Sequence, residues 1–143
     1  MGRLTKTDLA YIAGFLDGDG SLMIQLKNRI KENLPYRLMF TICFYQDSRH
    51  EETLFWIREK LQIGYLFKRN DGMTELRING YSRVNNLLRM LLPYLRFKKI
   101  QAKAIYEASR MLCKRKFLRK LNYGEKEKLV SCILVVQNEN YKS

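Results

Sequence analysis

"LAYIAGFLDGDGSLMIQLKNR", Leu9 to Arg29, changes its period in the middle. In its first half the small residues recur at helical spacing, with Ala10, Ala13, Gly14, Asp17 and Gly18 following an i, i+3, i+4 rule. From Ser21 the pattern alternates, placing Leu22, Ile24 and Leu26 on one face and Met23, Gln25 and Lys27 on the other. That is strand periodicity. A helix therefore runs directly into a strand across Asp17-Gly18-Asp19-Gly20, where two carboxylates sit beside nearly bare backbone. Upstream, Thr5 and Asp8 have the spacing of a capping box that opens the helix.

The rest of the chain extends this unit. "YRLMFTICFYQ" alternates again, with Leu38, Phe40, Ile42 and Phe44 sharing one parity and Arg37, Met39, Thr41, Cys43 and Tyr45 the other. Ser48 and Glu51 have the spacing of a second capping box, ahead of a helix that Gly64 ends. "YLFKRNDGMTELRIN" reads as a hairpin turning at Asn70-Asp71-Gly72. Helices follow through "SRVNNLLRMLLPYL" and "KKIQAKAIYEASRMLCKR", and a last one begins near Asn122, with Glu125 three residues on. The order predicts an α+β domain, αββαββα, with a four-stranded antiparallel sheet and helices on one face. The boundaries expected are one domain over 1–143, a core over about 5–112 and a basic helical region over about 113–143.

With helices on one face, the other face of the sheet is open and polar. Gln25, Lys27, Arg29, Arg37, Thr41, Arg69, Glu75, Arg77 and Asn79 fall on it. A solvated face is one reading. The other is nucleic-acid contact, since Arg, Lys, Gln and Asn are the side chains that pair with purine edges in a major groove. Met23, Met39, Cys43, Tyr65 and Phe67 share the predicted face, and the register of the second hairpin leaves Lys68 and Arg69 exchangeable. Composition favours a polyanionic partner, because 27 Lys and Arg stand against 14 Asp and Glu, a net charge of +13. Residues 108–124 hold Arg110, Lys114, Arg115, Lys116, Arg119 and Lys120 and no acid. Lys114, Arg115 and Lys116 are the phosphate-contact candidates of that run.

Several classes are disfavoured. The N-terminal residues contain no apolar signal-peptide core, and no window approaches the roughly 20 apolar residues of a membrane span. Cys43, Cys113 and Cys132 are odd in number and widely spaced, and His50 is the one histidine, so neither a disulfide framework nor a zinc site is expected. The expectation is an intracellular protein with reduced thiols, no membrane partner and no organic cofactor.

Four readings compete for Asp17–Gly20. A calcium loop fails on spacing, since a loop starting at Asp17 would have Leu22 where glycine is needed and Asn28 where glutamate is needed. A phosphate-cradling loop runs from strand to helix, the reverse of the order here. A purely structural helix end would use Gly20 in the left-handed conformation, yet acids near a helix C-terminus cost about 0.3–1 kcal/mol each. A divalent-cation site removes that objection, because the ion's charge outweighs the helix dipole. The small-residue stripe then lets two copies of the helix approach and bring two carboxylates together, although packing of the stripe inside one chain remains open.

Ile12-Ala13-Gly14-Phe15-Leu16-Asp17-Gly18-Asp19-Gly20 resembles the signature of the LAGLIDADG homing endonucleases. Pro93, Leu95, Lys98, Gln101 and Ala102 resemble a second segment of its single-motif members. The resemblance implies a homodimer joined through Ala10, Ala13, Gly14, Asp17 and Gly18, with two saddle-shaped sheets over a long, nearly palindromic DNA site. It implies Asp19 as a metal ligand, joined by the Gly18 carbonyl, and Gln46 and Lys98 as polar residues at the cleavage centre. Asp17 is more structural than liganding, and His50 is either a proton donor or a surface histidine. Magnesium is the implied cofactor, or manganese, with calcium supporting binding without cleavage. Hydrolysis would leave 3′ overhangs, and the protein would reside in the compartment that holds its host DNA. An RNA-binding intron maturase and a noncatalytic DNA-binding regulator are the alternatives on the same scaffold.

Overall fold

A computed structural model describes residues 3–29, 34–115 and 120–142. Helix α1 spans Lys6–Asp19, and the expected capping box closes its first turn. The Asp8 amide donates to Thr5 Oγ1 at 3.0 Å and the Thr5 amide donates to Asp8 Oδ2 at 3.1 Å. Strands β1 (Gly20–Arg29) and β2 (Leu34–Asp47) follow, then a 3-10 turn at Ser48–His50 and helix α2 (Glu52–Leu61). The second hairpin is β3 (Tyr65–Lys68) and β4 (Met73–Asn79), followed by α3 (Tyr81–Leu91), a 3-10 turn at Leu92–Tyr94, α4 (Lys99–Arg115) and α5 (Tyr123–Lys142). The expected boundary at 113 falls inside the last turn of α4.

Among the described residues, four antiparallel strands form one sheet in the order β1-β2-β4-β3. The even-numbered strand residues Leu22, Ile24, Phe40, Ile42, Phe44, Leu76 and Ile78 are buried, together with Ile12 and Leu16 of α1, Leu87 and Leu88 of α3 and Ile105 and Ala108 of α4. Burying a side chain of this size contributes about 1.5–3 kcal/mol. Leu26 has the parity of this core but is 53% exposed. The reason is register: β2 meets β4 only from Thr41 onward, so the outer parts of β1 and β2 pair with each other alone as a two-stranded ribbon.

One expected cap is replaced, and one competing reading of the α1 end is excluded. Ser48 and Glu51 form no capping box; Asp47 caps the 3-10 turn, and Glu51 precedes α2 without a side-chain cap. Glu51 Oε2 instead accepts from Thr74 Oγ1 at 2.8 Å, and the Ser48 hydroxyl lies 2.8 Å from Thr74 Oγ1. A cross-strand hydroxyl thus takes up both groups that would have made the box. At the other junction Gly20 is extended, φ −137°, rather than left-handed. Its glycine is required by space, because a Cβ there would lie 2.5 Å from Leu16 Cδ1, 2.8 Å from the Leu16 carbonyl and 3.0 Å from the Cys43 carbonyl. Gly20→Ala is therefore expected to lower stability by about 1–3 kcal/mol, by overpacking against backbone. Denaturant titration measures this, and an unchanged midpoint would show that the helix-to-strand junction can relax.

Candidate metal and nucleic-acid site

The two aspartates of the junction have different environments because 100° of helical rotation separates each residue from the next. Asp17 points inward and is 5% exposed. Its Oδ2 accepts from the Arg96 amide at 2.7 Å and its Oδ1 from the Lys98 amide at 3.1 Å, while Lys98 Nζ donates to the Asp17 carbonyl at 2.5 Å. These contacts fasten the segment before α4 to the end of α1. They also supply the N–H donors that offset a buried carboxylate at a helix C-terminus. Asp19 is exposed and has Gln46 Nε2, at the end of β2, donating to its Oδ2 at 3.4 Å. Gln46 is itself oriented, since its Oε1 accepts from the Asp47 amide at 2.9 Å.

Lys98 completes the cluster. Burial pushes its ammonium below its ordinary value, while the charges of Asp17 and Asp19 act in the opposite direction. The ammonium also lies 4.7 Å from the centre of the exposed Phe97 ring. Asp19, Gln46 and Lys98 thus converge from α1, β2 and the segment before α4. Arg49 and His50 are exposed in the 3-10 turn that follows. Arg49 clamps Asp47 with a bond from Nη2 at 2.9 Å and one from Nε at 3.0 Å, which holds that carboxyl down to about 2. The donor set at Asp19 suits a hard divalent cation: an exposed carboxylate next to main-chain carbonyls. Among the described residues no three His, Cys, Asp or Glu gather to enclose an ion. One chain offers a partial coordination sphere.

The small-residue stripe divides in two. Ala13 and Asp17, both expected at an interface between copies, are buried within this chain at 0% and 5% exposure. Ala10, Gly14 and Gly18 are exposed, in a row with the 53%-exposed Tyr11. A Cβ on Gly14 or Gly18 would meet nothing within 4 Å. Among the described residues no contact requires these glycines, although each weakens the helix by about 1 kcal/mol relative to alanine.

The open sheet face carries most of the expected residues in register. Met23 pairs with Thr41 and Thr41 with Asn79, Gln25 pairs with Met39, and Cys43 lies between Ser21 and Arg77, with Tyr65 beyond. Lys27 pairs with Arg37, but the side chains of Lys27, Arg29 and Arg37, and Lys116 altogether, lie outside the described residues. Lys68 is on the other face, paired with Thr74, its ammonium 3.8 Å from Glu51. The one-residue register question therefore resolves toward Arg69, whose guanidinium bonds Asp71 and lies 3.8 Å from Glu75.

Three residues expected to face a ligand are covered by their neighbours. Cys43 is fully buried, Thr41 donates to Asn79 Oδ1 at 2.8 Å, and Glu75 is 7% exposed with Arg77 Nη2 at 3.3 Å. The face is a cross-linked polar layer, with Ser21 to Tyr45 at 3.0 Å and Asn79 donating to Tyr65 at 3.3 Å. Among the described residues Gln25, Tyr65 and Phe67 are the exposed members, with Met23, Met39, Arg69, Arg77 and Asn79 partly exposed. Lys114 and Arg115 lie at the end of α4, where Arg115 pairs with Glu125 at 3.2 Å. The inward role of Asp17 as a double acceptor was legible only as helical phase, one turn after the buried Ala13.

A helix ending in an exposed carboxylate, an open antiparallel sheet beside it and a polar cluster at their junction define the LAGLIDADG endonuclease class. That family's model matches residues 12–107, and the chain belongs to the family. Two of its relatives are DNA endonucleases. I-CvuI of Chlorella vulgaris is 34% identical over 103 residues, 72% of this chain and 64% of its own length. I-CreI of Chlamydomonas reinhardtii is 27% identical over 103 residues, 72% of this chain and 63% of its own length. The chain thus spans a little under two thirds of the relatives it matches. A crystal structure of I-CvuI superposes with a TM-score of 0.77 at 28% identity, covering 96% of this chain and 83% of the other. That structure holds I-CvuI with the I-CreI target in the presence of magnesium, its DNA not cleaved.

Proposed function

We propose that the chain is a site-specific double-strand DNA endonuclease, acting as a homodimer with a divalent metal in intron homing. The observation that carries this reading is the convergence of Asp19, Gln46 and Lys98 beside a helix face where, among the described residues, nothing lies within 4 Å of a Cβ placed on Gly14 or Gly18. Two copies joined along Ala10, Gly14 and Gly18 would place two such clusters at the junction of two open sheets. DNA would lie across both sheets, positioned by cations on its phosphates and read by exposed residues such as Gln25 and Arg77.

Asp19 and the Gly18 carbonyl would hold the ion, with a second copy's Asp19 and DNA phosphate supplying further oxygens. Bound there, magnesium supplies Lewis acidity at the scissile phosphate. Gln46 would orient Asp19 and a neighbouring water. Lys98, tied by one N–H to the Asp17 carbonyl, has two more to direct at charge developing on phosphate oxygens. Each copy would cut one strand, leaving 3′ overhangs, in the compartment that holds the host DNA. No helix among the described residues is long and apolar enough to cross a membrane.

The test is cleavage of a randomised duplex library and of the intron-free host allele, with magnesium or with chelator, followed by mapping of the ends. Magnesium-dependent double-strand ends with 3′ overhangs are expected. No cleavage of either with magnesium or manganese would overturn the reading. A second test addresses the dimer. Gly14→Leu is expected to leave the circular dichroism of the chain unchanged and convert a sedimenting dimer to monomer, because the added side chain enters space that only a second copy would fill. A dimer that survives this change places the interface elsewhere.

A further inference from the structure

The basic surplus is not confined to the sheet. On α4, Lys99, Lys103, Arg110 and Lys114 are all exposed. At 3.6 residues per turn they fall within an arc of about 60°, along about 22 Å of axis. The buried residues of the helix, Gln101, Ala102, Ala104, Ile105, Ala108, Ser109 and Leu112, centre on the opposite side. The stripe therefore points away from the sheet, a helix and a layer spacing behind its open face, on the order of 15–20 Å. Arg89 of α3 is exposed on the flank that α3 presents to α4, near the Asn85 contacts with Tyr106 and Ser109. The one acid on α4, Glu107, lies at the edge of the arc and faces Lys128 at 4.0 Å. Among the described residues none of Arg89, Lys99, Lys103, Arg110 and Lys114 makes an ion pair within 4 Å, and only Lys114, at the end of the stripe, feels a neighbouring acid, Glu125. Five like charges on one surface repel one another, and a polyanion relieves that cost.

A duplex lying on the open sheet cannot also reach this stripe. Turning one duplex back through about 180° around the molecule would cost far more than the roughly 1–6 kcal/mol of a 40–90° bend over 20–30 base pairs. We propose that the α4 stripe is a second, sequence-independent binding surface for duplex DNA, which lets the protein hold one DNA segment on its sheet while capturing another behind it. The inference rests on the sheet face being a DNA site. DNA is favoured as the occupant because the sheet delivers the protein to that polymer, where neighbouring segments are concentrated. The stripe offers cations for phosphates and no exposed Ser, Thr, Asn or Gln on the same arc to read base edges or ribose hydroxyls. Passage between segments would follow from two occupied faces, as an aid in searching for a rare site.

The experiment uses the full chain in calcium. Protein bound to a bead-immobilised random 30-base-pair duplex is offered a second, fluorescent random duplex. Capture of the second duplex is expected, falling with salt at a log–log slope of about −4 for four to five neutralised phosphates. Lys103→Glu with Arg110→Glu is expected to reduce capture at least tenfold while retention on the first duplex and magnesium-dependent cleavage are unchanged; Lys103→Arg retains capture. Absence of capture, capture indifferent to the charge reversals, or capture of an RNA hairpin in place of the duplex would each overturn the proposal. Loss of the first duplex together with the second would overturn it too, by making stripe and sheet a single site. Failure of the endonuclease reading appears separately, as absent cleavage by the unaltered chain.

Discussion

Asp19→Asn is expected to abolish magnesium-dependent cleavage, by about 10³-fold or more, while DNA binding in calcium stays within a fewfold of the unaltered protein. The amide is nearly isosteric and can still meet Gln46, which lies 3.4 Å from the carboxylate now. What it removes is negative charge at the one exposed carboxylate of the cluster. Losing a single preorganised donor from an active site already costs about 10²–10³ in rate. If Asp19 holds the proposed ion, losing that ligand would cost at least as much. On the proposed reading, binding would rest mainly on the sheet and on phosphate contacts, which removal of an acid near phosphates would not weaken. Gel-shift titration in calcium and single-turnover cleavage in magnesium separate the two quantities. Cleavage that persists in the variant would move the metal site away from the α1 terminus.

The neighbouring aspartate should respond in the opposite manner. Asp17→Ala is expected to cost about 2–4 kcal/mol of stability, because the Arg96 and Lys98 amides lose a charged acceptor and hydrogen bonds to charged groups are each worth about 1.5–3 kcal/mol. For a chain of this size that is a fall in melting temperature of roughly 5–15 °C. Activity should fall as well, since Lys98 is placed by the same segment, but in parallel with unfolding and local loosening. Asp17→Asn keeps one acceptor and should lie between. Calorimetry on both variants decides the matter. A fully stable Asp17→Ala protein would mean that the Asp17 carboxylate is not the clamp between α1 and α4.

Much of this architecture was legible in the chain because the signals are local. The switch from period 3.6 to period 2 across Gly20 requires only neighbouring residues, and so does the Thr5–Asp8 box. Strand parity placed the open face correctly for Met23, Gln25, Met39, Asn79 and Arg77, since alternation fixes which side each residue takes. Parity does not say how far a neighbour reaches. Cys43 and Glu75 have the parity of contacts yet are covered by Arg77 and the residues around it. The Ser48–Glu51 box has the right spacing and was displaced by Thr74, 23 residues beyond Glu51, which no local rule includes.

The same division runs through the site. By itself the sequence determined that two aspartates stand at a helix end among small residues, because residue type and spacing are written in it. The resemblance already implied a structural Asp17 and a liganding Asp19; what only the tertiary structure decided is the partners each carboxylate meets. Asp17 is turned toward two amides 79 and 81 residues away and is consumed in holding the fold together, while Asp19 is left exposed beside Gln46. The small-residue stripe was likewise sorted by packing, with Ala13 buried within the chain and Gly14 and Gly18 left with open space before them. Spacing along a helix specifies a face, but only the elements that arrive from elsewhere in the chain determine whether that face is covered.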